Sequence, residues 1–269
     1  MKAINKNKIK TVLASAFGCL SRKTGASRIL AFHSIDNGAN PLLHQTPHLF
    51  EDQIRYLAEN GYKSYRVADI AIGFPGIVLQ QKIVVITFDD GIENFRTNVC
   101  PILKKYGMTA TFFIPTAYIN DDRQQPRYNG LAGYSAFKML SWQDLREMVD
   151  EGFEIGAHTH THLKISQQNR SCAKEEIERP KQILEDKLGT PVRSFAYPFG
   201  RSDAFAPWTR DLLADAGYTA GCTMMSRALN QKDDLLELPR TDINGFDTLK
   251  QFVMKLNGDY DCIRWIWNK

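Results

Sequence analysis

Two short stretches of this chain hold side chains whose types and spacing suit hydrolysis. The first is Ile83-Val84-Val85-Ile86-Thr87-Phe88-Asp89-Asp90-Gly91. Its apolar, β-branched run reads as a strand buried on both faces, and such a strand has no reason of its own to end in two adjacent acids. The acids therefore belong at its C-terminal mouth. Successive strand side chains point in opposite directions and Gly91 permits a sharp turn, so one carboxylate can bind a metal while its neighbour faces a bound water. The competing reading makes Asp89 or Asp90 the cap of a helix beginning near Glu93.

The second stretch favours the metal. Glu154-Ile155-Gly156-Ala157-His158-Thr159-His160-Thr161-His162 puts three of the chain's six histidines within five residues, again after a short apolar segment. Neutral imidazole is the commonest protein ligand for zinc-like ions. If the segment turns helical, His158 and His162 share a face at i, i+4; if it stays extended, all three histidines line one face. Two imidazoles and a carboxylate make a three-ligand site with positions open for water, as catalysis needs. A solvated loop of surface histidines is the alternative.

With Phe195-Ala196-Tyr197-Pro198-Phe199-Gly200, these stretches resemble the polysaccharide deacetylases of the NodB-homology, carbohydrate esterase family 4 type. Thr87–Gly91 is similar to the first motif, His158–His162 to the His-Ser/Thr-x-x-His motif, and the hexapeptide to the third, in the same order and spacing. The similarity runs from about Arg28 to Ile243. It implies that Asp89 is the catalytic base, that Asp90, His158 and His162 hold the metal, and that the Phe199 N–H helps bind the oxyanion. The implied reaction is removal of N-acetyl groups from amino sugars of a polysaccharide or its precursor, with zinc or another divalent transition metal as cofactor. A deformylase or O-acetyl esterase would use the same chemistry, and a non-catalytic carbohydrate-binding relative is the further alternative. Phe32-His33 matches an aromatic-His pair of many exopolysaccharide deacetylases, which implies His33 as general acid; a buried histidine bonded to a carbonyl is the rival. The chain departs from part of the family in one respect. No histidine follows His162, where others carry a Leu-x-His acid. Tyr197, Pro198 and Arg240 are expected beside the substrate, Arg240 either orienting site groups together with Asp242 or forming a plain salt bridge.

The elements that must position these groups alternate between strand and helix, which predicts a parallel barrel or open sheet. The resemblance narrows this to a distorted (β/α)7-type barrel, over residues 28–269 as one catalytic domain, and helical spacing adds an N-terminal amphipathic helix in residues 1–27, an amphipathic and basic segment. Helices are expected over Phe50–Asn60, Glu93–Tyr106, Arg170–Leu188 and Phe246–Leu256, with another capped by Ser141 and Asp144. Pro180 should kink the Arg170–Leu188 helix, whose charges read as solvated. His44 and His48 either rim the site or are solvated. Asn120–Met139 reads as a lid or substrate wall, where Tyr118, Tyr128 and Tyr134 stack on a sugar or anchor the loop. Cys262, Trp265 and Trp267 form an apolar tail that docks on the barrel or on a partner.

A formal charge of +4, from 34 basic and 30 acidic residues, is too mild and too evenly spread for a nucleic-acid binder. A carbohydrate partner fits it. Cys19, Cys100, Cys172, Cys222 and Cys262 show no C-x-x-C spacing and their odd number leaves a free thiol, which leans towards a reducing, cytoplasmic compartment. Beside the basic start, Ile9, Val12, Leu13, Ala16, Phe17 and Leu20 recur at helical spacing. That helix packs on the barrel or makes peripheral contact with the inner membrane face; a cleaved signal, and with it a periplasmic or secreted place, is the third reading. No apolar run is long enough to span a bilayer. The sequence offers no argument on oligomeric state.

Overall fold

The structure, a computed structural model, describes residues 26–38, 40, 44–74, 76–77, 82–119 and 137–261. The expected N-terminal helix, Tyr128, Tyr134 and the Cys262, Trp265 and Trp267 tail lie outside these residues. The strands are β1 (Arg28–Phe32), β2 (Ser34–Ile35), β3 (His44–Gln45), β4 (Lys63–Tyr65), β5 (Ile83–Phe88), β6 (Thr111–Ile114), β7 (Glu154–Ala157), β8 (Ser194–Ala196), β9 (Ala220–Cys222) and β10 (Arg240–Asp242). The main sheet is parallel and runs β10-β1-β5-β6-β7-β8-β9. A bridge between Cys222 and Leu238, just ahead of β10, nearly closes the ring. The seven-stranded distorted barrel expected from the sequence is thus observed. β4 takes the lower half of β5, opposite Ile83–Val85, and β6 takes the upper half at Thr87 and Phe88. Beyond β1, β2 and β3 pair as a separate ribbon at the mouth.

Strand alternation sorts two cores. Ile29, Val85, Phe113, Ala196, Ala220 and Leu238 fill the barrel interior. The alternate residues face outward, where Leu30, Ile86 and Phe112 meet Phe50 and Leu57 of α1 (Pro47–Glu59) and residues of other surrounding helices. Phe32, Phe88 and Phe112 stack in a row across β1, β5 and β6, with centroids 5.4 and 5.1 Å apart. This row points out, so the residue after each of the first two, His33 and Asp89, is directed inward. The packing of one face therefore aims the chemistry of the other.

After α2 (Val67–Gly73), the helix expected over Glu93–Tyr106 proves to be a wide turn, Phe95–Val99, followed by α3 (Cys100–Lys105). Pro101 has no N–H to give to Thr97, and the Cys100 N–H bonds instead to Phe95 O, one residue further back. α4 (Trp142–Asp150) has the expected cap: the Ser141 hydroxyl accepts from the Asp144 N–H and the Asp144 carboxylate from the Ser141 N–H. α5 (Arg170–Leu188) is continuous through Pro180 and ends at left-handed Gly189. α6 (Thr209–Asp215) and α7 (Leu249–Leu256) complete the outer layer, α7 starting later than expected because Thr248, not Phe246, caps it. No helix among the described residues is long and apolar enough to cross a membrane.

Two features at the lower end of the barrel make testable claims. A Cβ on Gly156 would lie 2.6 Å from the Phe113 ring and from Ser194 Oγ. Gly156→Ala is therefore expected to cost about 1–3 kcal/mol, measured by urea unfolding. The half-buried Glu154 carboxylate accepts from Thr111 Oγ1 at 2.6 Å, Ser194 Oγ at 2.7 Å and the Ala68 N–H at 3.1 Å. Burial pushes its pKa up more than these donors pull it down. A carboxyl with a raised folded pKa stabilises most below its unfolded value of about 4.3, and that contribution is lost as pH rises through the folded value. Glu154→Gln should accordingly gain stability relative to the unsubstituted chain as pH rises from about 4 to about 8, read as the difference in urea midpoints.

Candidate metal centre

The C-terminal ends of β5 and β7 bring the two sequence stretches together. One donor atom from each of Asp90, His158 and His162 lies within 4.8 Å of the other two. His158 Nε2 is 3.5 Å and His162 Nε2 3.2 Å from the same oxygen, Asp90 Oδ1. All three residues are buried. Two imidazoles and one carboxylate pointing at a common centre are a fitting donor set for zinc or a similar divalent transition ion. His158 Nδ1 lies 2.7 Å from Ala196 O, an acceptor only, so Nδ1 holds the proton and Nε2 offers its lone pair inward. Burial alone would raise the Asp90 pKa, but the adjoining His158 and His162 imidazoles hold it well below the usual carboxylate range.

The histidine stretch is neither helical nor extended. Thr159 (φ 60°) and His162 (φ 57°) adopt left-handed backbone, and this fold of the loop turns His158 and His162 together while sending His160 away. His160 Nδ1 pairs with Thr116 Oγ1 at 2.8 Å. Asp90 is left-handed too, at φ 80°, which returns its side chain to the mouth although strand alternation would point it outward. Non-glycine residues in this region carry strain, and their concentration here marks a site built for something other than stability.

Beside this group, Asp89 occupies the barrel axis. Arg240 donates to both its oxygens, Nη1 to Oδ1 at 2.6 Å and Nη2 to Oδ2 at 2.8 Å. The guanidinium is fully buried, donates further to Thr87 Oγ1 at 3.2 Å and Thr223 O at 3.1 Å, and lies over the Phe113 ring. Arg240, expected beside the substrate or in an ion pair that involves Asp242, sits fully buried beneath Asp89 and pairs with that residue instead. Burial raises the Asp89 pKa, but the charges of Arg240 and His158 outweigh it and hold the carboxyl below its ordinary value.

The other expected residues divide. His33 follows β1 on the inward face, within electrostatic reach of both Asp89 and Asp90. Phe199 stands at the mouth, 47% exposed, left-handed at φ 63°, its ring 5.2 Å from that of His162. Pro198 is buried in the same turn. Tyr197 is corrected: its ring stacks on Phe205 at 4.4 Å and its hydroxyl donates to Leu236 O at 2.9 Å, so the side chain faces the protein body, not a substrate. Tyr118 anchors the histidine loop through Oη to Thr161 O at 3.1 Å. His48 is exposed and meets Asp52 one helical turn on at 3.2 Å, whereas His44 is paired with Asp36 and stacked on Phe137. The charges of α5 are not all solvated, because Glu176 is buried against the histidine loop. The reach of Arg240 to Asp89 had no local signal, since 151 residues separate them.

The profile of the polysaccharide deacetylase family matches residues 77–221. The chain belongs to that family. It is similar to the poly-beta-1,6-N-acetyl-D-glucosamine N-deacetylase of Staphylococcus aureus (strain MRSA252), 24% identical over 222 residues, which are 79% of this chain and 71% of the relative. Among solved structures it is similar in fold to the Streptococcus pyogenes deacetylase PplD in complex with acetate, at a TM-score of 0.73 and 24% identity over 85% of this chain and 97% of that one. IcaB from Ammonifex degensii matches at 0.71 and 24%, over 87% and 97%.

In this polysaccharide deacetylase family member, deleting Arg240 leaves the Asp89 charge buried without its ion-pair partner. Arg240→Met is expected to cost roughly 3–5 kcal/mol of stability, and adding Asp89→Asn should recover most of that loss, both measured by chemical denaturation.

Proposed function

We propose that the chain is a metal-dependent hydrolase that removes N-acetyl groups from amino sugars of a polysaccharide or its precursor. The observation that supports it best is an acid held ionised, Asp89, directly beside the converging donors of Asp90, His158 and His162. The S. aureus relative, by its name an N-deacetylase of a poly-N-acetylglucosamine, supports the choice of bond and substrate class.

The roles follow from position. Asp90, His158 and His162 would hold the ion, which we assign as zinc from the donor set. When bound, it supplies Lewis acidity that polarises the amide carbonyl and acidifies water. Asp89 takes the proton of the attacking water, and Arg240, gripping both carboxylate oxygens, fixes their orientation and keeps them ionised. His33, on the inward face of the neighbouring strand, gives a proton to the leaving amine, so water and amide become acetate and a free amino sugar. The Phe199 N–H, held by a left-handed residue after Pro198, donates to the developing oxyanion. The exposed Phe199 ring gives the sugar an apolar surface beside the ligands.

Incubation of the zinc-loaded protein with a panel of N-acetylated oligosaccharides tests this reading. Equal release of acetate and free amine is expected, lost with a chelator and restored by zinc. Asp89→Asn should lower turnover by at least about 100-fold while leaving zinc uptake intact. Release of formate, or acetate without amine, would point to another acyl bond; turnover retained by Asp89→Asn would remove Asp89 as the base.

A further inference from the structure

We propose that Glu176 and Pro180 act together as positioning residues that hold the His158–His162 loop in its ligand-presenting shape, an inference that rests on the metal reading above. Pro180 lies inside α5, where a proline has no N–H for the carbonyl four residues back, here that of Glu176. That carbonyl is not left idle. It accepts the backbone N–H of His160 at 3.1 Å. The Glu176 side chain reaches the same peptide: Oε2 accepts from the His160 N–H at 3.0 Å and the Thr161 N–H at 2.8 Å, and Oε1 from Thr161 Oγ1 at 2.7 Å. One residue thus receives two of the three amide protons between the two histidine ligands, those of His160 and Thr161, through its carboxylate and through a carbonyl that the proline has released from the helix ladder.

The opposite side of the loop is held as well. The Ala117 N–H donates to His160 O at 2.9 Å and Tyr118 Oη to Thr161 O at 3.1 Å. The His160-Thr161 unit is therefore clamped between α5 and the turn Thr116–Tyr118, with its donors on one side and its acceptors on the other. Thr159 and His162, the left-handed residues that turn the two imidazoles together, flank this unit directly. Strained backbone persists only where its surroundings over-determine it, and the clamp supplies that determination. Next to the proline, Ile177 O also takes an outside donor, Tyr218 Oη at 2.9 Å, so the proline region of α5 serves as an acceptor surface.

The test compares the unsubstituted chain, Glu176→Ala, Glu176→Gln and Pro180→Ala, each stripped of metal and then titrated with Zn2+ alone, with thermal unfolding followed in chelator. Glu176→Ala is expected to bind Zn2+ about 10–100-fold more weakly, the loss typical of removing an outer-shell partner. Glu176→Gln keeps an oxygen for the two amides and should recover most of the affinity. Pro180→Ala restores a helix N–H that competes for the Glu176 carbonyl, so it should unfold at a higher temperature yet bind Zn2+ more weakly, opposite movements that a merely structural role does not produce. Glu176→Ala binding as tightly as the unsubstituted chain overturns the proposal. So does Pro180→Ala with unchanged affinity, or with stability and affinity moving the same way, and this variant decides alone if Glu176→Ala does not fold. An unsubstituted chain that takes up no Zn2+ overturns the metal centre itself, and this proposal with it.

Discussion

A carboxylate closed off from water stays ionised only if a partner is buried with it. Asp89 and Arg240 satisfy that condition at the axis of the barrel, and much of the interior is arranged around them. The guanidinium comes from β10, its further acceptors are Thr87 on β5 and Thr223 just after β9, and the ring beneath it is Phe113 on β6. Four strands distant in sequence must be in register before this pair exists.

The rest of the site is made of backbone that the chain would not choose by itself. Among the described residues, non-glycine positions with left-handed φ are Lys82, Asp90, Thr159, His162 and Phe199, and all but Lys82 belong to the site. Each such residue costs on the order of 1–3 kcal/mol, which the surrounding packing has to offset. The outward row of Phe32, Phe88 and Phe112 fixes the strand ends. Gly91 provides the matching turn, closely packed on Ile114. Gly200 provides another where a side chain would strike the Met224 backbone N, 2.6 Å from the position of its Cβ.

The wide turn after the acid pair links the metal side of the mouth to the His33 side. Asn94 accepts from the Ile35 N–H at 3.3 Å and donates to Ser34 Oγ at 2.7 Å, while Asn98 donates to Ile35 O at 2.7 Å. Ser34 and Ile35 follow His33 directly. Asp36 continues the network, accepting from Ser34 Oγ, the Gly38 N–H and Asn94, and pairing with His44. The segment that holds the expected general acid is thereby tied to the segment that holds the base, through side chains from a turn that Pro101 has widened.

By itself, the sequence determined the alternation of strand and helix, which the family resemblance narrowed to a barrel, the ends of the strands where chemistry sits, and the identity of Asp89, Asp90, His158 and His162 as a group. It did so because those features are local: hydrophobic runs, a turn glycine, and clustered ligand types a few residues apart. It set Tyr197 beside the substrate and looked to Asp242, not Asp89, as the acid associated with Arg240, because alternation within one segment does not reveal what lies across the barrel. Tyr197 turns to the protein body, and Arg240 is buried under the base. It read the charges of α5 as solvated because the helical pattern of a segment says nothing about a loop that docks on it from elsewhere. Which histidines converge, which acid has a cation beneath it and which glutamate grips the loop were decided only by the tertiary fold, since each depends on contacts between residues far apart in the chain and on left-handed backbone that local propensity disfavours.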